Sequence, residues 1–160
     1  MTVKSTRVIR LSFVAMLLIV TGCSNEQNDS SLALLKTTNP DELIVGAGHS
    51  TKDEETAKQV KEKVSQFKEL YDVSVVEGEK EFLVAYKVKH MQRFHMKKIE
   101  KTLTNYLESH FPDEKFTVSS DYKIFLETIR LKEKVENGTY TNKEAEKRFE
   151  EIVKLRDELT

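Results

Sequence analysis

The densest collection of ligand-type side chains is His90, Met91, Gln92, Arg93, Phe94, His95 and Met96, where imidazole and thioether together would suit copper or another soft metal. On a helix His90 and His95 stand about 140° apart around the axis, so they do not share a face as residues four apart would. The run is expected to be a linker into a helix, with Met91 and Met96 filling gaps in the core. No metal and no other cofactor is expected. His49 beside Gly48, and His110 near a helix end where a cation suits the dipole, need no ligand either. Gly46-Ala47-Gly48 begins like a nucleotide fingerprint but lacks the third glycine and the strand-to-helix setting. There is no Gly-x-Ser-x-Gly, no His-Glu-x-x-His and no phosphate loop, so the sequence points away from an enzyme. Ser119, Ser120 and Asp121 form a polar cluster ahead of an apolar run. Ser119 or Ser120 is read first as a helix cap, and the three together as a candidate anion or partner contact through free backbone amides. With 26 Lys and Arg interleaved among 27 Asp and Glu, no broad basic field collects phosphates, and nucleic acid is not an expected partner.

The single cysteine, Cys23, can make neither an internal disulfide nor a cysteine-based zinc cage, so its position has to explain it. Lys4, Arg7 and Arg10 precede an apolar run from Leu11 to Val20, the two parts of an export signal. That run is about half the ~20 residues a transmembrane helix needs. Val20, Thr21, Gly22 and Cys23 follow, and this tetrapeptide resembles a bacterial lipobox, with cleavage at Gly22 and a diacylglyceryl thioether on Cys23. Residues 1–22 are thus expected to be a lipoprotein signal peptide. Acyl chains on Cys23, palmitate among them, would hold the protein on a membrane essentially for good. Loss of three bases with no acid lowers the formal charge from −1 to −4, so acidic membranes are not expected to attract the mature chain.

The elements that carry these residues follow from periodicity. Residues 23–50 read as a polar tether, with Leu43, Ile44 and Val45 able to add a strand. Residues 51–120 read as an α-β-β-α-β domain, BON-like, and residues 121–160 as a helical pair, giving an α+β protein. Thr51 and Glu54 are spaced as a capping box before Ala57, Val60, Val64, Phe67 and Tyr71. Val73 to Val76 and Phe82 to Val88 flank a Gly78-containing turn. In the second strand Phe82, Val84, Tyr86 and Val88 share one face, and Leu83, Ala85 and Lys87 the other, an alternation that suits a sheet with one covered face. A helix from Met96 to His110 leads to a third strand, Phe116 to Ser119. A right-handed crossover is expected to put that strand beside the first, with both helices on one face. The last two helices are separated by Asn137-Gly138, a C-terminal cap. The second opens on a Thr141/Glu144 capping box, with Glu144–Arg148 and Glu150–Lys154 spaced as ion pairs.

In this order of elements the chain resembles the sporulation lipoproteins of the YhcN/YlaJ type, of endospore-forming bacteria. The resemblance spans about residues 11–155. It is carried by VTGC, the polar tether, TAKQVKEKVSQFKELYDVSVVEGEKEFLVAYKV, FTVSSDYKIFLETI and ENGTYTNKEAEKRFEEIVKL. Two places depart from the family's pattern: Ser119-Ser120-Asp121-Tyr122 stands where an Asn-Pro-Asp-like helix start is usual, and the chain closes on Arg156, Asp157, Glu158, Leu159 and Thr160 without an Arg-Phe-Pro-type ending. The resemblance implies a lipid-anchored protein on the outer side of the cytoplasmic membrane, that of the forespore or spore, serving spore formation or germination without catalysis. Its sheet edge or an open sheet face would engage an envelope or spore-membrane protein. The alternatives are a cell-wall or lipid binder not specific to sporulation, with peptidoglycan as partner, and a dimer formed through Phe149, Ile152 and Val153.

Overall fold

The computed structural model describes residues 38–46 and 51–159, without the side chains of residues 51–53. The expected signal peptide with its cleavage site at Gly22, Cys23, the first part of the expected tether, Ala47 to His49 and the Thr51 half of the expected capping box lie outside what it describes. The elements are β1 (Leu43–Ile44), α1 (Thr51–Ser65), β2 (Leu70–Glu77), β3 (Phe82–Val88), a 3₁₀ turn (His90–His95), α2 (Met96–His110), β4 (Phe116–Ser119), α3 (Tyr122–Glu136) and α4 (Asn142–Glu158). The fold class is α+β, as expected, and Leu43–Ile44 do add a strand.

The sheet order is β1-β2-β3-β4, with β2 antiparallel to β3 and both outer strands parallel to their neighbours. This corrects the expected position of the strand after α2. It lies beside β3, pairing Phe82 with Phe116 and Ala85 with Ser119, and not beside β2. The outer edge of β2 is taken by β1, where Val45 N donates to Glu77 O at 2.9 Å. The only edge left for a parallel return from β3 is then that of β3 itself.

The helices α1 and α2 cover one face together, as predicted. Ala57, Val60 and Val64 of α1 and Ile99, Leu103 and Leu107 of α2 close over Val73, Val75, Phe82, Val84 and Tyr86. Full burial of each such aliphatic side chain contributes roughly 1.5–3 kcal/mol. The other face is not open. Ile124, Phe125 and Leu131 of α3 and Ala145, Phe149 and Ile152 of α4 pack on Val76, Leu83 and Ala85, so β3 is buried along its whole length. The one-covered-face expectation failed because Leu83 and Ala85 are themselves apolar and offered α3 and α4 a surface to bury. An open sheet face for a partner, and a dimer seam through Phe149 and Ile152, fall with it, since those two side chains are 2% and 0% exposed.

The β2–β3 turn is shaped by α4. A Cβ on Gly78 would lie 2.3 Å from Cε1 of Phe149, so only glycine lets the ring close over the turn. Gly138 closes α3 at φ +72°, the left-handed cap expected after Asn137. The Thr141/Glu144 capping box is present at the start of α4. It also explains why the Glu144–Arg148 pair is absent. Glu144 Oε2 accepts from Thr141 N at 2.9 Å, and Arg148 turns instead to Glu127 and Glu151 at 2.6 and 2.8 Å. Likewise Glu150 pairs with Lys80 across to the β2–β3 turn, at 3.1 Å, and not with Lys154.

Candidate functional site

The parallel strands β3 and β4 end on the same side of the sheet, and the chain leaves them in opposite directions. After Val88 it passes to the first face, through the 3₁₀ turn and α2; after Ser119 it passes to the second, through α3. Divergence of the following helices opens a crevice beyond the carboxyl ends of parallel strands, the usual place for a ligand on an open sheet. Two adjoining concavities lie there and meet at Met96, Ser120 and Asp121. One, of about 390 Å³, is lined by Tyr71, Lys87, Arg93 and Tyr122 in addition. The other, of about 530 Å³, is lined by Lys97, Glu100, Lys101 and Arg156 in addition.

The cluster Ser119-Ser120-Asp121 sits at the centre of this crevice, but its members do different work from that expected. The helix cap is Asp121, and neither serine. Its Oδ1 accepts from the amides of Lys123 and Ile124 at 2.7 and 3.2 Å. Those are the amides a bound anion would need, so the anion reading is corrected: the site's own carboxylate already occupies them. Ser119 is buried and its Oγ accepts from Asp121 N at 3.1 Å. Ser120 Oγ donates to Glu100 Oε2 at 3.4 Å. Ser120 and Asp121 remain as crevice-lining residues available to a partner.

Glu100 and Arg156 brace the second concavity. Arg156 donates to Val118 O from Nε and Nη2 at 3.3 and 3.1 Å, and its Nη2 lies 3.3 Å from Glu100 Oε1. One arginine in the last turn of α4 thereby joins the end of β4 to α2. Below it lies the buried Tyr86, whose phenol is pushed well above its ordinary range by desolvation and, second, by the Glu100 charge. It stays protonated and can only serve as a neutral hydroxyl.

The first concavity is floored by an ion pair that the sequence did not reveal. Lys87 Nζ lies 2.7 Å from Asp72 Oδ2, with the two side chains 5% and 0% exposed. The residues are direct partners across β2 and β3, and Lys87 Nζ stands 4.6 Å from the centre of the Phe125 ring. Asp72 also accepts from Thr38 N at 2.9 Å and Asn39 N at 2.8 Å. Asn39 takes φ +36°, a left-handed conformation that asparagine tolerates. The same entering segment is held by Lys61 on Pro40 O and by Lys132 on Asp41 O at 3.2 Å. Burial lowers the pKa of Lys61. A period-two alternation ending in Lys87 carried a signal of this pair only if both faces were known to be covered.

Of the other residues singled out in the sequence, His90 and His95 stand exposed on the 3₁₀ turn, and His110 Nδ1 lies 2.8 Å from Tyr106 O at the end of α2. Met96 packs on the first core, but Met91 does not fill a core gap: it is 77% exposed. No residue of the 3₁₀ turn is buried, and α1 and α2 close the core without it, while its Gln92 and His95 line a shallow concavity with Phe67, Lys98 and Ile99. No helix among the described residues is long and apolar enough to cross a membrane.

A family model for the sporulation lipoproteins YhcN/YlaJ matches residues 38–154, nearly all of the described residues and none of residues 20–23. No curated protein and no solved structure matches the chain.

Proposed function

We propose, from the premise that this chain belongs to the YhcN/YlaJ family of sporulation lipoproteins, that it is a membrane-held binding or scaffold module of the spore envelope. Diacylglyceryl-Cys23 attaches it to the outer side of the cytoplasmic membrane of the forespore or spore. There it presents the crevice at the carboxyl ends of β3 and β4 to another envelope protein during spore formation or germination. The observation that carries the reading is the agreement of two separate stretches: residues 38–154 match a lipoprotein family, and the tetrapeptide ending at Cys23, outside that match, resembles a lipobox.

A non-catalytic role is supported by how the polar groups of the crevice are used. Asp121 is spent on the amides of Lys123 and Ile124, and Glu100 on Arg156 and Ser120. Both carboxylates brace the walls. The test is complementation of a deletion strain with wild type, with Cys23→Ala, and with Ser120→Trp to fill the mouth of the crevice, each checked for normal accumulation. Both variants are expected to leave sporulation or germination defective. Full complementation by Ser120→Trp would remove the crevice from the account.

A further inference from the structure

The segment between β3 and α2 differs from the rest of the surface in charge and in what it leaves uncovered. Lys89, Arg93, Lys97 and Lys98 are all exposed, and no acid lies between Glu81 and Glu100. Against the −4 expected of the mature chain this segment is locally cationic, with Glu69 sharing a concavity with Lys98 and Glu100 one with Lys97. Inside that collar stand Phe94, 93% exposed, and Met91, 77% exposed, while no residue of the 3₁₀ turn is buried. Residues three apart eclipse one another on a 3₁₀ helix, so Met91 and Phe94 project from one face. Single exposed apolar side chains are ordinary; two on one face of a turn whose neighbouring exposed charges in the chain are all cations make a contact surface, while Gln92 and His95 of the same turn face Phe67, Lys98 and Ile99.

We propose that this turn is a membrane-contacting tip, with Phe94 and Met91 entering the interfacial layer of an anionic bilayer and Lys89, Arg93, Lys97 and Lys98 on its phosphate headgroups. An apolar wedge in a basic collar matches such a surface on both counts, because headgroups take the charge and the acyl boundary takes the ring. The path of the chain supports the same orientation. Asp72 holds Thr38 and Asn39 opposite Lys87, one residue short of the end of β3. The chain coming from Cys23 therefore enters the fold at the end of the sheet that carries the tip. The inference rests on the membrane-held reading, and it adds a second, noncovalent contact that sets the crevice, whose rim Arg93 and Lys97 also line, beside the bilayer surface.

The chain contains no tryptophan, so Phe94→Trp makes a single reporter. The full acylated chain, purified from membranes, is reconstituted into phosphatidylcholine vesicles with or without phosphatidylglycerol, and anchoring is scored separately by flotation. With phosphatidylglycerol, the emission is expected to shift to shorter wavelength, to be quenched by brominated lipid and to be shielded from iodide. Lys80→Trp, on the turn at the opposite end of β3, is expected to stay in water in both vesicles. Adding Lys97→Glu and Lys98→Glu to Phe94→Trp should abolish the shift, since each cation near an anionic surface is worth about fivefold in partition. Protein that floats with both vesicles while its Phe94→Trp emission stays that of a solvated indole would overturn the tip and leave the anchor standing. A shift in phosphatidylcholine alone that grows with protein density would overturn it in favour of a second copy. A shift caused by soluble wall polymer without quenching by brominated lipid would overturn it in favour of the wall.

Discussion

Where α1 and α2 cover the sheet, the core is aliphatic and aromatic from Val60 to Leu107; where α3 and α4 cover it, the same strands place Asp72, Ser74 and Lys87 among Val76, Leu83 and Ala85. The core of the first face is apolar throughout, and its polar ties, Glu100 to Arg156 and Lys61 to Pro40 O, lie at its margin. The second adds partners that must meet at fixed positions: Lys87 on Asp72 in the sheet, and Glu127, 8% exposed, between Arg130 and Arg148, each at 2.6 Å. Buried ion pairs are weak sources of net stability, but they penalise any packing that separates the partners. The second face is also the one onto which the entering chain is tied, through Asp72. Asp72 of the polar face thus fixes where Thr38 and Asn39 join the body, with Lys61 of α1 holding Pro40 O beside them.

The largest expected effect breaks the polar face alone. Asp72→Ala should destabilise by about 3–5 kcal/mol in urea unfolding, because Lys87 is left charged and buried. Adding Lys87→Met should recover a good part of that loss. On the apolar face Leu103→Ala should cost about 2–5 kcal/mol, with no second substitution that restores it by removing a charge. If Lys87→Met failed to rescue Asp72→Ala, the contrast between the faces would be lost.

Gly78→Ala comes next, at about 1–3 kcal/mol, since its Cβ would meet the Phe149 ring at 2.3 Å. A double-mutant cycle with Phe149→Leu should show strong coupling, and purely additive losses would mean that the turn and α4 are independent.

Smaller still is Thr141→Ala, about 1 kcal/mol by thermal melting. Its partner Glu144 gives a pH dependence. Backbone and side-chain hydrogen bonds from Thr141 hold the Glu144 carboxyl below its ordinary 4.5. A carboxyl lowered on folding contributes stability that is present above 4.5 and fades as the pH falls through the lowered value. The advantage of wild type over Glu144→Gln should accordingly be seen at pH 7 and vanish in acid. A difference that persisted at low pH would assign it to packing.

Local signals carried much of this. The helices α1 to α4 showed their three- and four-residue apolar spacing, Thr141/Glu144 its capping box, and Asn137-Gly138 its stop. What failed were choices between distant partners. Arg148 had Glu144 one turn away, yet it reaches Glu127 because the capping box holds Glu144. Asp121, and not Ser119 or Ser120, caps α3, a choice among three adjacent capping residues that propensity cannot make. Strand order depended on β1, two residues long, closing the free edge of β2. Arg156 was invisible as a brace, since Val118 lies 38 residues earlier. Met91 was read as filling a core gap, and the 3₁₀ path of the chain turned it outward.

The central claim is that this body is held by Cys23 to a membrane of the developing spore, and it is tested by tagging wild type and Cys23→Ala in a spore-forming host and quantifying both in vegetative membranes and in purified spores. The account predicts wild-type protein retained in the spore membrane and the variant lost from it. Accumulation of wild type in vegetative membranes instead would contradict the sporulation setting and leave a general envelope lipoprotein.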